Sequence, residues 1–266
     1  MPVPRILMLP GYTQNAVIFS GRVGALRRAL KDSAELIFVD PPHIVEMPTT
    51  SSEDFSKFDS SAAGSTAPED IPRAWWFGRP SPEDGVYREY SKLEDTIVYL
   101  RELMEKHQPT AVFGFSQGAA AAAILTALVE NPSLDPVFSA PSKDPSVQWP
   151  PKPFDFAILS AGFYPLDPRT LAYFAEKPKT PTLHVLGRGD TIVGEERSVP
   201  LTEAFVDSRV EWHTGGHHTP SKASWRRFFQ AYIECFGDDG KGAEGISAVP
   251  SPTTGGEDSE LANGRL

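Results

Sequence analysis

The sequence predicts an α/β fold built on a mainly parallel sheet with helices on both faces. Two observations carry this. Short apolar runs of strand character alternate with helical patterns along the chain, and several of those runs are apolar throughout, as strands covered on both faces are. At 266 residues and 40% hydrophobic side chains, the chain is long enough to bury the core of one large domain.

Arg5–Leu9 (RILML) reads as the first strand, followed by Pro10-Gly11 and a helix over about 18–30. Glu35–Val39 (ELIFV) is the second strand, stopped by Asp40-Pro41-Pro42. After an acidic loop at 46–72, Tyr90, Leu93, Ile97, Leu100 and Met104 fall at three- and four-residue steps, which predicts a helix over 85–106. Ala111–Phe115 (AVFGF) is the third strand and runs directly into a helix over 117–130. The interval 131–153 holds seven prolines, so it is expected to be neither helix nor central strand, but an insertion at the sheet edge or over the site. Phe154–Leu159, Thr182–Leu186 and Arg209–Trp212 are the remaining strands, with helices expected over 167–175, 195–206 and 222–236. The residues after Phe236 contain seven glycines and few aliphatic side chains, so they are expected to stay disordered. The expected organisation is therefore a single domain at 1–236, carrying the acidic loop and the Pro-rich insertion, and an acidic tail at 237–266.

The formal net charge of −10 is unevenly spread. The tail supplies −4 and the 46–72 loop −5, leaving the rest of the chain at −1. No Lys/Arg block of the kind that releases phosphate counterions is present, so nucleic acid is not an expected partner. A single cysteine, Cys235, allows neither an intramolecular disulfide nor a thiolate metal site. No apolar run reaches the ~18 residues needed to span a bilayer, and the N-terminal apolar stretch is too short for a secretory segment. A soluble cytoplasmic protein, with the nucleus as a second compartment, is the expectation.

Gly114-Phe115-Ser116-Gln117-Gly118 is a GxSxG pentapeptide placed between an apolar strand and an Ala-rich helix. A serine on a sharp strand-to-helix turn needs strained backbone angles, and small residues two positions to either side let strand and helix approach. Its hydroxyl then stands at the C-terminal edge of the sheet, which makes Ser116 the candidate nucleophile. A serine needs a base, and the base an orienting acid, each at the end of a later strand. Leu183–Asp190 (LHVLGRGD) is a strand leading into a Gly-punctuated turn that ends in the acid Asp190; Asp155 and Asp167 are weaker rivals. Val210–Pro220 (VEWHTGGHHTP) is a strand followed by a Gly-Gly loop rich in histidine. His217 directly follows the glycines and is the first choice for general base, with His218 and His213 as competitors. His184, His43 and His107 read as structural or surface residues. The loop lacks a metal-ligand spacing, so neither metal nor cofactor is expected.

Acyl transfer develops an oxyanion, which calls for two preorganised donors. The backbone N–H of Gln117 is one candidate. The N–H of Tyr12, in the loop after the first strand, is the other, with Gly11 allowing substrate to approach.

Taken together, RILMLPGYTQNAVIF at the start, RAWW at Arg73–Trp76, VFGFSQGAA around Ser116, FAILSAGF at Phe156–Phe163, LHVLGRGDTIV around Asp190 and HTGGHHTP ending at Pro220 resemble the FSH-type serine hydrolases. That family includes polyketide-releasing thioesterases of the lovastatin type. The resemblance spans most of the chain up to Phe236. It implies an α/β-hydrolase fold and a catalytic triad of Ser116, Asp190 and His217.

Aromatic residues cluster where a roof over the site is expected. They are Phe55 and Phe58 in the acidic loop, Trp75, Trp76 and Phe77 after it, Phe138 and Trp149 in the insertion, and Phe163 and Tyr164 after the fourth strand. Gly11, Trp75, Trp76 and Phe163 are the candidate substrate-binding residues for an apolar acyl group. The expected substrate is a small carboxylic ester, with a thioester next. An acyltransferase or thioesterase acting on a carrier-bound acyl chain is the alternative, and a non-catalytic binding protein on the same fold a more distant one. A dinucleotide enzyme is disfavoured because no GxGxxG follows the first strand.

Overall fold

A computed structural model of the chain describes residues 3–46, 71–237 and 242–253. Its strands are β1 (Arg5–Leu9), β2 (Glu35–Phe38), β3 (His43–Ile44), β4 (Arg73–Ala74), β5 (Phe77–Pro80), β6 (Tyr87–Ser91), β7 (Ala111–Phe115), β8 (Phe156–Ser160), β9 (Thr182–Gly187) and β10 (Ser208–His213). The α-helices are α1 (Ala16–Arg22), α2 (Gly24–Ala29), α3 (Leu93–His107), α4 (Gln117–Glu130), α5 (Pro136–Ser139), α6 (Pro168–Leu171), α7 (Glu195–Glu203), α8 (Ala223–Glu234) and α9 (Ala243–Ile246).

Six strands form one sheet in the order β10-β9-β8-β7-β1-β2, and every pair in it is parallel. The chain starts in the middle at β1, steps out to β2, then returns to the other side of β1 and proceeds outward from β7 to β10. The order therefore reverses between β1 and β7. In open α/β sheets the crevice beyond the carboxyl ends of the strands at such a reversal is where ligands bind. Ser116 lies at the end of β7 and the loop from Pro10 to Asn15 at the end of β1.

The sheet is sealed on both sides. Leu7, Leu9, Val112, Ala157 and Leu159 face one core with the Ala-rich side of α4 and the apolar stripe of α3. The alternate residues Ile6, Met8, Phe113, Phe115, Phe156 and Ile158 face the other, built from Phe19 of α1 and Trp225, Phe228, Phe229 and Tyr232 of α8. This double burial is why β7 and β8 carry unbroken apolar runs.

Several sequence expectations are corrected. The helix expected over 85–106 begins only at Leu93; the preceding residues form an antiparallel hairpin of β5 and β6, with Gly85 at φ 72° in the turn. Only Tyr90 of Tyr-Arg-Glu-Tyr-Ser is buried, so this strand carries no clear alternation, and Lys92 at φ 69° separates strand from helix. Tyr90 falls three residues before Leu93, in step with the helix, which is what extended the helical pattern too far. The helix expected over 18–30 is broken at Val23 into α1 and α2. The Pro-rich interval does contain helix, because Pro132 and Pro136 occupy first-turn positions where no N–H is required, behind the caps Asn131 and Asp135. Its aromatic residues serve as anchors. Phe138 is fully buried, the Trp149 indole donates to the Phe138 carbonyl at 2.8 Å, and the Arg101 guanidinium of α3 lies 4.4 Å from the Trp149 ring centre. The 46–72 loop lies mostly outside the described residues, Phe55 and Phe58 with it.

The tail expectation is also corrected in part. Residues 242–253 pack against β10 and α8: the Gly242 N–H donates to the Cys235 carbonyl at 2.7 Å, Ile246 adds to the α8-side core, and Val249 is buried. Arg209 of β10 donates to the carbonyls of Ile246 (2.6 Å) and Val249 (2.8 Å), and the Ser251 hydroxyl to Glu211 (2.6 Å). Low aliphatic content does not exclude docking when an arginine far away in sequence satisfies the backbone of two turns. Residues 238–241 and 254–266 lie outside the described residues. Truncating the chain after Lys241 is expected to remove about 2 kcal/mol, from two apolar side chains and a few hydrogen bonds, and so to lower Tm by about 4–8 °C in calorimetry. An unchanged Tm would show that the docked segment adds no net stability.

Candidate active site

β7 delivers Ser116 onto a backbone conformation of φ 55°, ψ −120°, before α4 begins at Gln117. A side chain at Gly114 would place its Cβ 2.1 Å from the Gly118 carbonyl oxygen, and one at Gly118 would stand 2.2 Å from the Leu9 carbonyl oxygen. Both glycines of GxSxG are thus required by backbone packing of α4 against β7 and β1. The Ser116 N–H donates to the Ser160 carbonyl on β8 at 2.9 Å, which fixes the turn.

β9 and β10 each end in a loop that turns toward this serine, and the two loops are stitched together. The Arg188 N–H donates to the His213 carbonyl (2.8 Å) and the Gly189 N–H to the Gly215 carbonyl (3.0 Å). Gly187 is needed there, since a Cβ would approach the Gly216 oxygen to 2.5 Å. The result brings Ser116, His217 and Asp190 into one line. Asp190 Oδ2 stands 2.7 Å from His217 Nδ1, and His217 Nε2 stands 2.9 Å from Ser116 Oγ. An ionised carboxylate only accepts, so Nδ1 carries the proton and Nε2 is left to accept from the serine hydroxyl. The imidazole also lies against Phe115, ring centres 5.1 Å apart.

Burial alone would push the Asp190 carboxyl up, but the His217 hydrogen bond and the N–H groups of Val193 and Ile192, each at 2.9 Å, together hold it below the usual aspartate range. A carboxyl depressed in the folded state contributes stability that is fully present above the free-aspartate pKa of about 4 and is lost as pH falls through the depressed value. Asp190→Asn is therefore expected to melt below wild type at pH 6–7, with the difference shrinking below pH 4. A Tm difference that does not vary with pH would contradict this.

The competing residues are engaged elsewhere. His213, the last residue of β10, is buried and its Nδ1 accepts from the Gly215 N–H at 3.1 Å. His218 is exposed, its ring centre 4.8 Å from that of His213. Burial pushes His184 down to about 3, so it stays neutral in mid-strand beside the Thr182 hydroxyl. Asp167 caps α6 and is held by Arg169 and the Tyr90 N–H, and Asp155 precedes β8, at the sheet end opposite Ser116.

The loop after β1 passes directly against Ser116: a Cβ on Gly11 would lie 3.3 Å from the Ser116 Cβ. The N–H groups of Gly11, Thr13 and Gln14 are committed to the Gln14 side chain, the Arg73 carbonyl and the Gly11 carbonyl. They set the path of the loop and the orientation of the Tyr12 peptide. The Gln117 N–H sits in the first turn of α4, where no helix carbonyl lies behind it.

Trp75 and Trp76 are not a substrate surface. Both are fully buried; the Trp75 indole donates to the Pro10 carbonyl at 2.9 Å, and Trp76 stacks on Tyr90 with ring centres 5.1 Å apart. Their backbone is gripped by the Gln117 side chain, which accepts from the Trp75 N–H (3.0 Å) and donates to the Trp76 carbonyl (2.8 Å). Gln117, directly after Ser116, thus holds the Trp75–Trp76 backbone through its amide, and Trp75 in turn reaches the loop after β1 at Pro10, a role that sequence reasoning missed. The signal was present in a Gln at that position and a Trp-Trp pair upstream. Phe163 is half-buried beyond Gly162, which itself packs on Ala119 of α4, and the Arg197 guanidinium lies 4.7 Å from its ring centre. Among the described residues, no helix is long and apolar enough to cross a membrane.

Comparisons with known proteins agree with this architecture. Residues 1–229 match the family model described as Serine hydrolase (FSH1). The Danio rerio protein named Esterase OVCA2 is 33% identical over 238 residues, covering 87% of this chain and 97% of the relative. The human protein of that name is 31% identical over 242 residues, covering 88% and 97%. Among solved structures, Arabidopsis thaliana SOBER1 superposes with a TM-score of 0.54 at 15% identity, covering 88% of this chain and 99% of that one. Zea mays acyl-protein thioesterase 2 gives 0.51 at 17%, covering 88% and 95%. Those identities speak to the α/β-hydrolase fold alone. The family match and the esterase-named relatives speak to the enzyme: the chain belongs to the serine hydrolase (FSH1) family.

Proposed function

We propose that the protein hydrolyses small carboxylic esters of apolar acyl groups through an acyl-enzyme on Ser116. The supporting observation is the unbroken hydrogen-bonded line from Asp190 through His217 to the strained serine. Ser116 Oγ attacks the ester carbonyl carbon while its proton passes to His217 Nε2. The charge that builds on the carbonyl oxygen is met by the N–H groups of Gln117 and Tyr12. His217 returns the proton to the departing alkoxide, the ester bond breaks, and a water activated by the same imidazole releases the acid. Asp190 keeps the imidazole in the tautomer this cycle requires and stabilises the imidazolium that forms midway.

An ester is favoured as substrate because relatives covered over most of their length carry the name esterase. Phe163, half-buried beyond β8, is the candidate apolar surface for the acyl group. A thioester, free or on a carrier, uses the same steps with a thiolate leaving group. Labelling by a fluorophosphonate tests the nucleophile: wild type is expected to be labelled stoichiometrically and Ser116→Ala not at all. Undiminished labelling of Ser116→Ala would reject the assignment. A panel of esters and thioesters of graded acyl length then ranks the leaving group and chain.

A further inference from the structure

Ser160 closes β8 and is fully buried beside the nucleophile strand, in register with Phe115. It makes two contacts to different parts of the site. Its carbonyl accepts the Ser116 N–H at 2.9 Å, and its hydroxyl lies 2.9 Å from the hydroxyl of Thr219, two residues after His217. Immediately beyond it the chain turns sharply. Ala161 takes φ 49° with its N–H on the Val185 carbonyl at 2.8 Å, and Gly162 is wedged between Ala119 and Leu201. Ser160 is thus held by the sheet on one side and a strained turn on the other, which makes its hydroxyl a fixed point.

The base loop needs such a point. Its near end is tied to the acid loop through the Gly189 N–H and the Gly215 carbonyl. Among the described hydrogen bonds, the one from Ser160 to Thr219 holds its far end before Pro220 leads the chain away toward α8. His217 lies between the two ties. We propose that Ser160 is a positioning residue: it fixes nucleophile and base against one another, its carbonyl holding Ser116 and its hydroxyl, through Thr219, holding the loop that carries His217. The proposal rests on reading Ser116, His217 and Asp190 as the triad, and adds a residue that touches neither substrate nor the reacting atoms.

The test uses Ser160→Ala, Thr219→Val, Thr219→Ser and the Ser160→Ala/Thr219→Val double variant of the full chain. Ser160→Ala keeps the carbonyl contact to Ser116 and removes only the hydroxyl tie. Loosening one of two ties, with the acid contact retained, is expected to cost roughly tenfold in kcat and in the rate of fluorophosphonate inactivation, with KM within about twofold of wild type. Thr219→Val is expected to match it, Thr219→Ser to recover wild-type rates to within about twofold, and the double variant to be no slower than either single variant, since all three remove the same bond. Wild-type kcat in Ser160→Ala, a multiplied loss in the double variant, or a Thr219→Ser as slow as Thr219→Val would each overturn the proposal. Should Ser160→Ala fail to fold, the two Thr219 variants, on a half-exposed loop, decide the question. Failure of the triad reading is a different result: Ser116→Ala would keep its turnover whatever the Ser160 variants do.

Discussion

Replacing His217 with alanine is expected to lower kcat by about 10⁴–10⁶-fold while leaving the fold intact. The size follows from the geometry. With Nε2 at 2.9 Å from Ser116 Oγ, this imidazole is positioned to remove the hydroxyl proton, and no second imidazole stands ready to replace it. His213 is buried with its Nδ1 turned to the Gly215 N–H, and His218 faces solvent. His218→Ala is accordingly expected to keep kcat within a few-fold of wild type. Steady-state kinetics on an activated ester, with circular dichroism to check folding, separates the two variants. The reverse pattern would transfer the base role to His218.

Gly118→Ala is expected to be among the most damaging single added methyls in the described residues. The added carbon would stand 2.2 Å from the Leu9 carbonyl oxygen and 2.3 Å from that of Pro10. Neither neighbour is a side chain that can rotate away. Relief requires α4 to move off β1, which breaks the close approach that carries Ser116, so a loss of more than about 4 kcal/mol is expected, or about 8–16 °C in Tm, with activity lost alongside. Gly114→Ala meets the Gly118 carbonyl at 2.1 Å and belongs to the same class. Gly21→Ala is the control: nothing lies within 4 Å of its Cβ, it sits inside α1, and it is expected to be neutral or to stabilise by up to about 1 kcal/mol. Thermal melts of the three variants check the order; a Gly118→Ala protein as stable as wild type would contradict the packing described.

The sheet was legible where the pattern was strong. β1, β7 and α4 end where the sequence places them, because unbroken apolar runs bounded by Gly, Pro and Ser leave little choice of period. The juxtaposition of Ser116, Asp190 and His217 was legible for a related reason: each follows a strand at a glycine-marked turn, and parallel strands deliver such turns to one edge. What failed were features that depend on partners distant in sequence. Trp75 and Trp76 look like a roof in composition and are buried braces in three dimensions, because the Gln117 amide and the Pro10 carbonyl that bind them are invisible in a local window. The hairpin at β5 and β6 was lost because β6 has no clear alternation and its one buried residue, Tyr90, stands in helical step with Leu93 and Ile97. The docked segment at 242–253 was lost to Arg209, whose contacts lie 37 and 40 residues further along the chain.

In the proposed mechanism Ser116 becomes acylated during turnover. The most direct test is rapid acid quench of the enzyme with a slowly deacylated ester, followed by peptide mass spectrometry. A substrate-derived acyl increment is expected on the peptide containing Ser116, formed and lost at rates that support turnover. Turnover without that adduct, or with the acyl group on another residue, would contradict it.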